Sequence, residues 1–212
     1  MAEKSYHHGN LRDALLEAGI KLIGEEGLEN FSLRKVAAIC GVSHGAPYRH
    51  FPDKEAMLTA MHQHVTKQFA RVMETTLQEY RSSSDRLIHM GLSYLDFFLE
   101  HPEYFRFFMF QGGFEIDLTD ITRESAYRPF EVYKNAALEL MDSWEIAPAN
   151  RVQSLMAMWG MVHGITSMAV LKSISYDGDW KLLLGKILKE NIHVQPSKTG
   201  QAQAGGIPGN DS

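Results

Sequence analysis

Residues Ser32–Lys54, SLRKVAAICGVSHGAPYRHFPDK, constrain the chain more than any other stretch. Ser32 is a helix N-cap, a side-chain oxygen placed to accept a first-turn backbone N–H. Leu33, Val36, Ala37 and Cys40 follow at helical spacing and make one apolar face. Gly41 suits the left-handed conformation that ends a helix, and Val42 is the apolar plug of the turn. Ser43 is placed to cap a second helix, with Pro47 in its first turn, where a missing N–H is tolerated. Cap, helix, Gly turn, cap, helix is the plan of a helix-turn-helix.

The second element carries side chains suited to a polyanion. Gly45 and Ala46 are small and let the backbone approach base edges or a thymine methyl. His44, Tyr48, Arg49 and His50 can donate hydrogen bonds to phosphates or bases. Lys54 opens the next helix and offers a further phosphate contact. Within this stretch Arg34, Lys35, Arg49 and Lys54 face Asp53 alone, whereas the whole chain carries a formal charge of −5. Attraction to nucleic acid must therefore be local rather than that of a polycation.

The run YHHGNLRDALLEAGIKLIGEEGLENFSLRKVAAICGVSHGAPYRHFPDKEAML resembles the N-terminal domain of TetR-type (tetracycline-repressor-like) transcriptional regulators. Gly41-Val42-Ser43, the Tyr48–Phe51 run and Lys54-Glu55 fall where that family has them. Trp159-x-x-x-His163-Gly164 resembles the WHG signature of one C-terminal domain class in the same family. The resemblance implies an all-α protein with a three-helix DNA-binding domain over residues 1–54, its arm at 1–9. A larger helical effector-binding and dimerisation domain would fill 55–194. It implies a homodimer on a palindromic double-stranded operator, released by a small-molecule effector, in the cytoplasm. DNA contacts would come from Ser32, Arg34, Ser43, His44, Gly45, Ala46, Tyr48, Arg49, His50 and Lys54. The family's last two long helices commonly build a four-helix dimer interface. Here they correspond to about Pro148–Ser173 and Trp180–Ile192, with Gly160, Gly164, Met168, Leu184 and Leu188 as interface residues.

The rest of the chain reads as helix throughout, and no strand pattern competes. Asn10 is placed to cap a helix over about Leu11–Gly24, closed by Gly24 and Gly27. Asp53 caps a long helix, about Lys54–Tyr80, that begins in the motif and ends well beyond it, the one evident mechanical link between the two parts. Ser84 is placed to cap a helix over about Asp85–Glu100. Pro102 suits the first position of a short aromatic helix that Gly112-Gly113 ends. A helical region spans about Asp120–Trp144, with a kink or fresh start at Pro129. The tail 195–212, rich in Gly, Pro, Ser, Gln and Ala, has the composition of a disordered segment.

Other features bound the function. A single cysteine excludes an internal disulfide framework, and Cys40 reads as a small core residue. MAEKSYHHGN has no apolar run, so no secretory signal is expected. Val152–Leu171 lacks Asp, Glu, Lys and Arg, but its polar residues and basic flanks favour a helix buried at a subunit interface over a membrane span. Gly160 and Gly164 lie four apart and permit close helix approach. The ten histidines are scattered, no metal-ligand or phosphate-loop motif occurs, and no cofactor or metal is expected. Aromatics at Tyr104–Phe110 and nearby methionines suggest a core that also holds an apolar pocket. Phe97, Tyr104, Phe108, Trp159 and His163 are its candidate lining. From the residues alone, a protein-interaction module and a small helical enzyme remain rival readings.

Overall fold

The structure, a computed structural model, describes residues 11–111 and 116–192. Among them lie eight α-helices: α1 (Leu11–Glu26), α2 (Leu33–Ile39), α3 (Lys54–Glu79), α4 (Arg86–Glu100), α5 (Pro102–Gln111), α6 (Arg128–Ser143), α7 (Pro148–Val170) and α8 (Trp180–Ile192). No strand occurs among the described residues, so the all-α expectation is met. The expected Asn10 cap, the arm at 1–9, the Gly112-Gly113 terminator and the tail lie outside the described residues.

Several boundaries differ from the sequence expectation, each for a local reason. Helix α1 runs through Gly24 and stops at Gly27, whose φ is 86° and whose N–H donates to Ile23 O at 2.9 Å. Gly24 serves close approach instead: a Cβ there would lie 3.1 Å from the backbone oxygen of Glu103 on α5. Ser84 caps nothing; Asp85 bounds α4, with its own N–H held by the Ser83 hydroxyl at 3.0 Å. Residues 120–127 are not helical, and α6 starts afresh at Arg128 with Pro129 in its first turn. Helix α7 ends at Val170, short of Ser173.

Helix α3 organises the packing. Met57, Met61, Val65, Phe69 and Met73 recur every four residues and are all buried. At 3.6 residues per turn each step of four advances the stripe by about 40°, so it winds roughly 160° around the helix. Its first end therefore faces α1, where Met57 and Met61 press on Gly19. Its far end faces α4, where Phe69 packs on Tyr94, Phe97 and Phe98 at centroid distances of 5.0–5.1 Å. One helix thus belongs to the core of the head, α1–α2, and to the core of the body, α4–α8.

Candidate functional site

The first half of the motif folds as its residues dictate. The Ser32 hydroxyl accepts the Lys35 N–H at 3.2 Å, and Leu33, Val36 and Ala37 are buried. At the other end Val42 N–H donates to Ala37 O at 3.0 Å and Gly41 N–H to Ala38 O at 3.1 Å, with Gly41 at φ 66°. That double closure is a Schellman turn. Cys40 is buried and its thiol points to Ala14 O at 3.6 Å. Burial raises its pKa, so it is a structural thiol.

The second half departs from expectation. Ser43 does not cap an α-helix; a single 3₁₀ turn, Pro47–Arg49, stands there. The reason is Pro47. A helix capped at Ser43 would make its first intrahelical bond from residue 47 to Ser43 O, and proline has no N–H to give. Ala46 N–H takes Ser43 O instead, at 2.9 Å, and Arg49, His50 and Phe51 continue with tight bonds to Ala46 and Pro47. The segment is a chain of tight turns anchored by buried Pro47 and Phe51.

That anchoring presents a polar surface. Arg34, Ser43, His44, Gly45, Tyr48, Arg49 and His50 are exposed, while Ser32 and Ala46 are half-buried. Lys54 is held from behind: its ammonium donates to Leu28 O at 3.3 Å and sits 5.6 Å from the Phe31 ring centroid. Arg12 on α1 lies 5.4 Å over Phe51, a neighbour of this surface that the motif alone did not single out.

A polar cluster joins head to body. Tyr104 on α5 donates to Glu17 on α1 at 2.6 Å, and His64 on α3 meets the same carboxylate oxygen at 2.6 Å. Gln68 Nε2 donates to the Tyr104 hydroxyl at 3.0 Å. Burial alone would raise the Glu17 pKa, but the hydrogen bonds from His64 and Tyr104 outweigh it and hold the carboxyl below its usual range. Burial, then the Glu17 carboxylate, pushes the Tyr104 hydroxyl up. Beside this cluster His62 packs on Phe107 at 4.7 Å and Phe108 at 5.7 Å. Helix α3 is therefore not the sole link between the two parts; α5 lies against α1 as well.

In the body, the expected pocket residues separate. Trp159 lines a small cavity of about 20 Å³ between helices, together with Met73, Leu87, Met90, Gly91, Tyr94, Tyr133, Met158, Val162, Leu188 and Ile192. Phe97 and Tyr104 instead pack on one another at 5.8 Å, and Phe108 on Phe98 at 6.5 Å. His163 lies one contact away: its Nδ1 is 2.8 Å from the Tyr94 hydroxyl, and its ring is 5.4 Å from Phe105. Burial lowers the His163 pKa, which keeps the imidazole neutral near pH 7. Tyr94, a cavity wall and the partner of His163, was missed because a tyrosine in an apolar stripe gives no signal beyond core.

The expected interface residues also divide. An added Cβ at Gly160 or Gly164 would meet nothing within 4 Å, and Met168 is exposed with Val152, Met156 and Leu171 along the same helix. Leu184 and Leu188, by contrast, are fully buried within the chain. Leu188 packs toward Gly91 of α4, so neither is available to a partner. The exposed apolar residue of α8 is Leu182. No helix among the described residues is long and apolar enough to cross a membrane.

Comparison with known proteins agrees with this geometry. Residues 15–61 match the sequence model of bacterial regulatory proteins of the tetR family, and residues 87–184 match a tetracyclin repressor-like C-terminal domain. The second match includes the Trp159–Gly164 signature. The nucleoid occlusion factor SlmA of Salmonella paratyphi B is 30% identical over 103 residues, 48% of this chain and 52% of that protein. The chain thus spans about half the length of the curated relatives it matches. A TetR family transcription regulator from Marinobacter aquaeolei VT8 shares the fold at a TM-score of 0.63 and 20% identity, covering 85% of this chain and 94% of that one. The multidrug binding protein EbrR, complexed with ethidium, does so at 0.52 and 18%, covering 87% and 99%. With both halves of the chain matched to the same kind of regulator and the motif folded at the expected place, the chain belongs to the TetR family of DNA-binding transcription regulators, which are not enzymes.

Proposed function

We propose that this regulator acts as a homodimeric repressor, released from a palindromic operator by a small-molecule effector in the cytoplasm. The observation that carries the reading is the exposed surface from Arg34 to His50, set on a head whose long helix α3 continues into the effector domain. The functional division falls at residue 54, with 1–54 contacting DNA and 55–194 binding effector and partner. Tyr48 and Lys54 clamp phosphates; His44, Ala46 and Arg49 face the groove. The ammonium of Lys54 spends one of its three donors on Leu28 O, leaving two for a phosphate.

The exposed apolar stripe through Gly160 and Gly164 supports the dimer. A two-fold pairing there would set two heads one helical repeat of DNA apart, roughly 34 Å. Gly164→Leu would wedge the helices apart, and sedimentation should then report a monomer; an unchanged dimer would remove this interface.

The broad reading is tested by selection from random duplex DNA with the purified full chain. A palindrome with half-sites about one helical turn apart is expected. Failure to enrich any sequence, or enrichment of a single half-site by a monomer, would reject it. Lys54→Ala should weaken binding about equally on all sequences and lower the salt slope by about one, whereas changes at Ala46 should alter which sequence is preferred.

A further inference from the structure

The cavity beside Trp159 is a small recess between α4, α6, α7 and α8 of the body and the far half of α3. Its walls include Met73 on α3, Met90 and Tyr94 on α4, Tyr133 on α6, and Met158 and Trp159 on α7. No charged side chain lines it among the described residues. Its polar groups are already committed: the Tyr94 hydroxyl to His163 at 2.8 Å, and the Tyr133 hydroxyl to Leu155 O at 2.9 Å. A ligand charge placed here would be buried without a counter-ion, which costs several kcal/mol or more. The Trp159 ring stands 5.6 Å from Tyr94 and 5.4 Å from Tyr133, spacings at which aromatic rings attract each other.

We infer that this cavity is the effector site and that it takes an uncharged aromatic molecule, selected by ring and thioether contacts and rejected when it carries either sign of charge. The inference rests on the reading of the body as an effector domain and names the ligand class for it. As it stands the cavity of about 20 Å³ admits one water-sized sphere, whereas a benzene ring needs about 150 Å³. Entry therefore displaces side chains, and Met73, Met90 and Met158 are the adaptable ones: unbranched, polarizable and favourable beside aromatic rings. Movement of Met73 bears directly on α3, the helix that starts at the DNA-contacting turn.

The test uses three single-ring probes on the purified full chain: benzyl alcohol, benzoate and benzylamine. Calorimetry and thermal shift should show benzyl alcohol binding at least about tenfold more tightly than either charged probe. Val162→Phe and Met158→Phe each place a ring in the space the ligand would take and should abolish that binding, with a cooperative thermal melt showing that each variant keeps its fold. A second measurement leaves the lining intact: in a Trp144→Phe, Trp180→Phe background, Trp159 emission should change with benzyl alcohol and not with the charged probes. Equal binding of a charged probe, saturable benzyl alcohol binding that survives both filling variants, or an unmoved Trp159 signal would each overturn the inference. If benzyl alcohol binds as described but leaves operator affinity unmoved, the cavity's ligand class stands and induction falls. If no probe binds while operator is still bound, the inference fails and the DNA-binding reading is untouched.

Discussion

The head and the body of this protein are held by different kinds of force. In the head, residues 33–51 are fixed largely by short-range devices: the Ser32 cap, the Schellman turn at Gly41, and the tight turns around Pro47. In the body, the fixing contacts are long-range. Phe69 meets three rings of α4, and the Tyr94 hydroxyl of α4 meets His163 of α7 at 2.8 Å; buried Lys134 adds a local tie, to Arg123 O and to Glu131 at 2.8 Å. A reading surface needs its backbone posed from behind, here by buried Leu33, Val36 and Phe51, because its outward side chains must stay free for DNA. On the effector reading proposed above, the body needs a dense core that a small molecule can perturb.

If that contrast holds, breaking a body contact costs more than breaking a head device. Phe69→Ala should destabilise by about 3–5 kcal/mol, the usual loss for a buried ring, read as a lower denaturant midpoint. Lys134→Ala should cost about 3–5 kcal/mol by leaving Glu131 buried without its partner, while replacing both by apolar residues should be far milder. In the head, Gly41→Ala should cost about 1–2 kcal/mol through its left-handed backbone. Ser32→Ala should cost about 1 kcal/mol, the value of one cap. A head variant that destabilised as much as Phe69→Ala would blur the distinction.

The pH dependence follows the same division. Burial would raise the Glu131 carboxyl, but hydrogen bonds from Lys134, Ser125 N–H and Asn135 outweigh it and hold its pKa below the usual range. Glu17 at the head–body junction is depressed in the same way. A carboxyl with a depressed folded-state pKa contributes stability that is complete above the unfolded value, about 4.3 for glutamate, and lost as pH falls through the folded value. Stability should therefore fall between about pH 5 and the depressed folded-state values. Glu131→Gln should flatten that slope, measured by urea melts across pH.

Much of the fold was legible because helices announce themselves locally. Caps at Ser32 and Asp53, the start of α8 at Trp180 and the stop at Gly41 all lie where sequence signals put them. The errors came where one residue type serves two ends. Gly24 looked like a terminator and is a crossing point; Pro47 looked like a first-turn proline and blocks the helix's first bond. The exposure of the polar residues in the turn was legible from their chemistry. The pocket was not: aromatic enrichment on α5 marked its ring packing on α3 and α4, while the cavity lies where five helices converge, a property of tertiary geometry that no local pattern carries. The same holds for Leu184 and Leu188, whose spacing marks an apolar face without saying whether it looks inward.

The central claim is that head and body move as one unit, joined by continuous α3 and by α5 lying on α1 through Glu17, Tyr104 and Gly24. Hydrogen–deuterium exchange of the full chain, with and without its selected operator, tests this directly. DNA binding should slow exchange at Arg34–Phe51 and also in α5, which this account places away from DNA. Protection confined to residues before α4, with α5 exchanging as in the free protein, would contradict it.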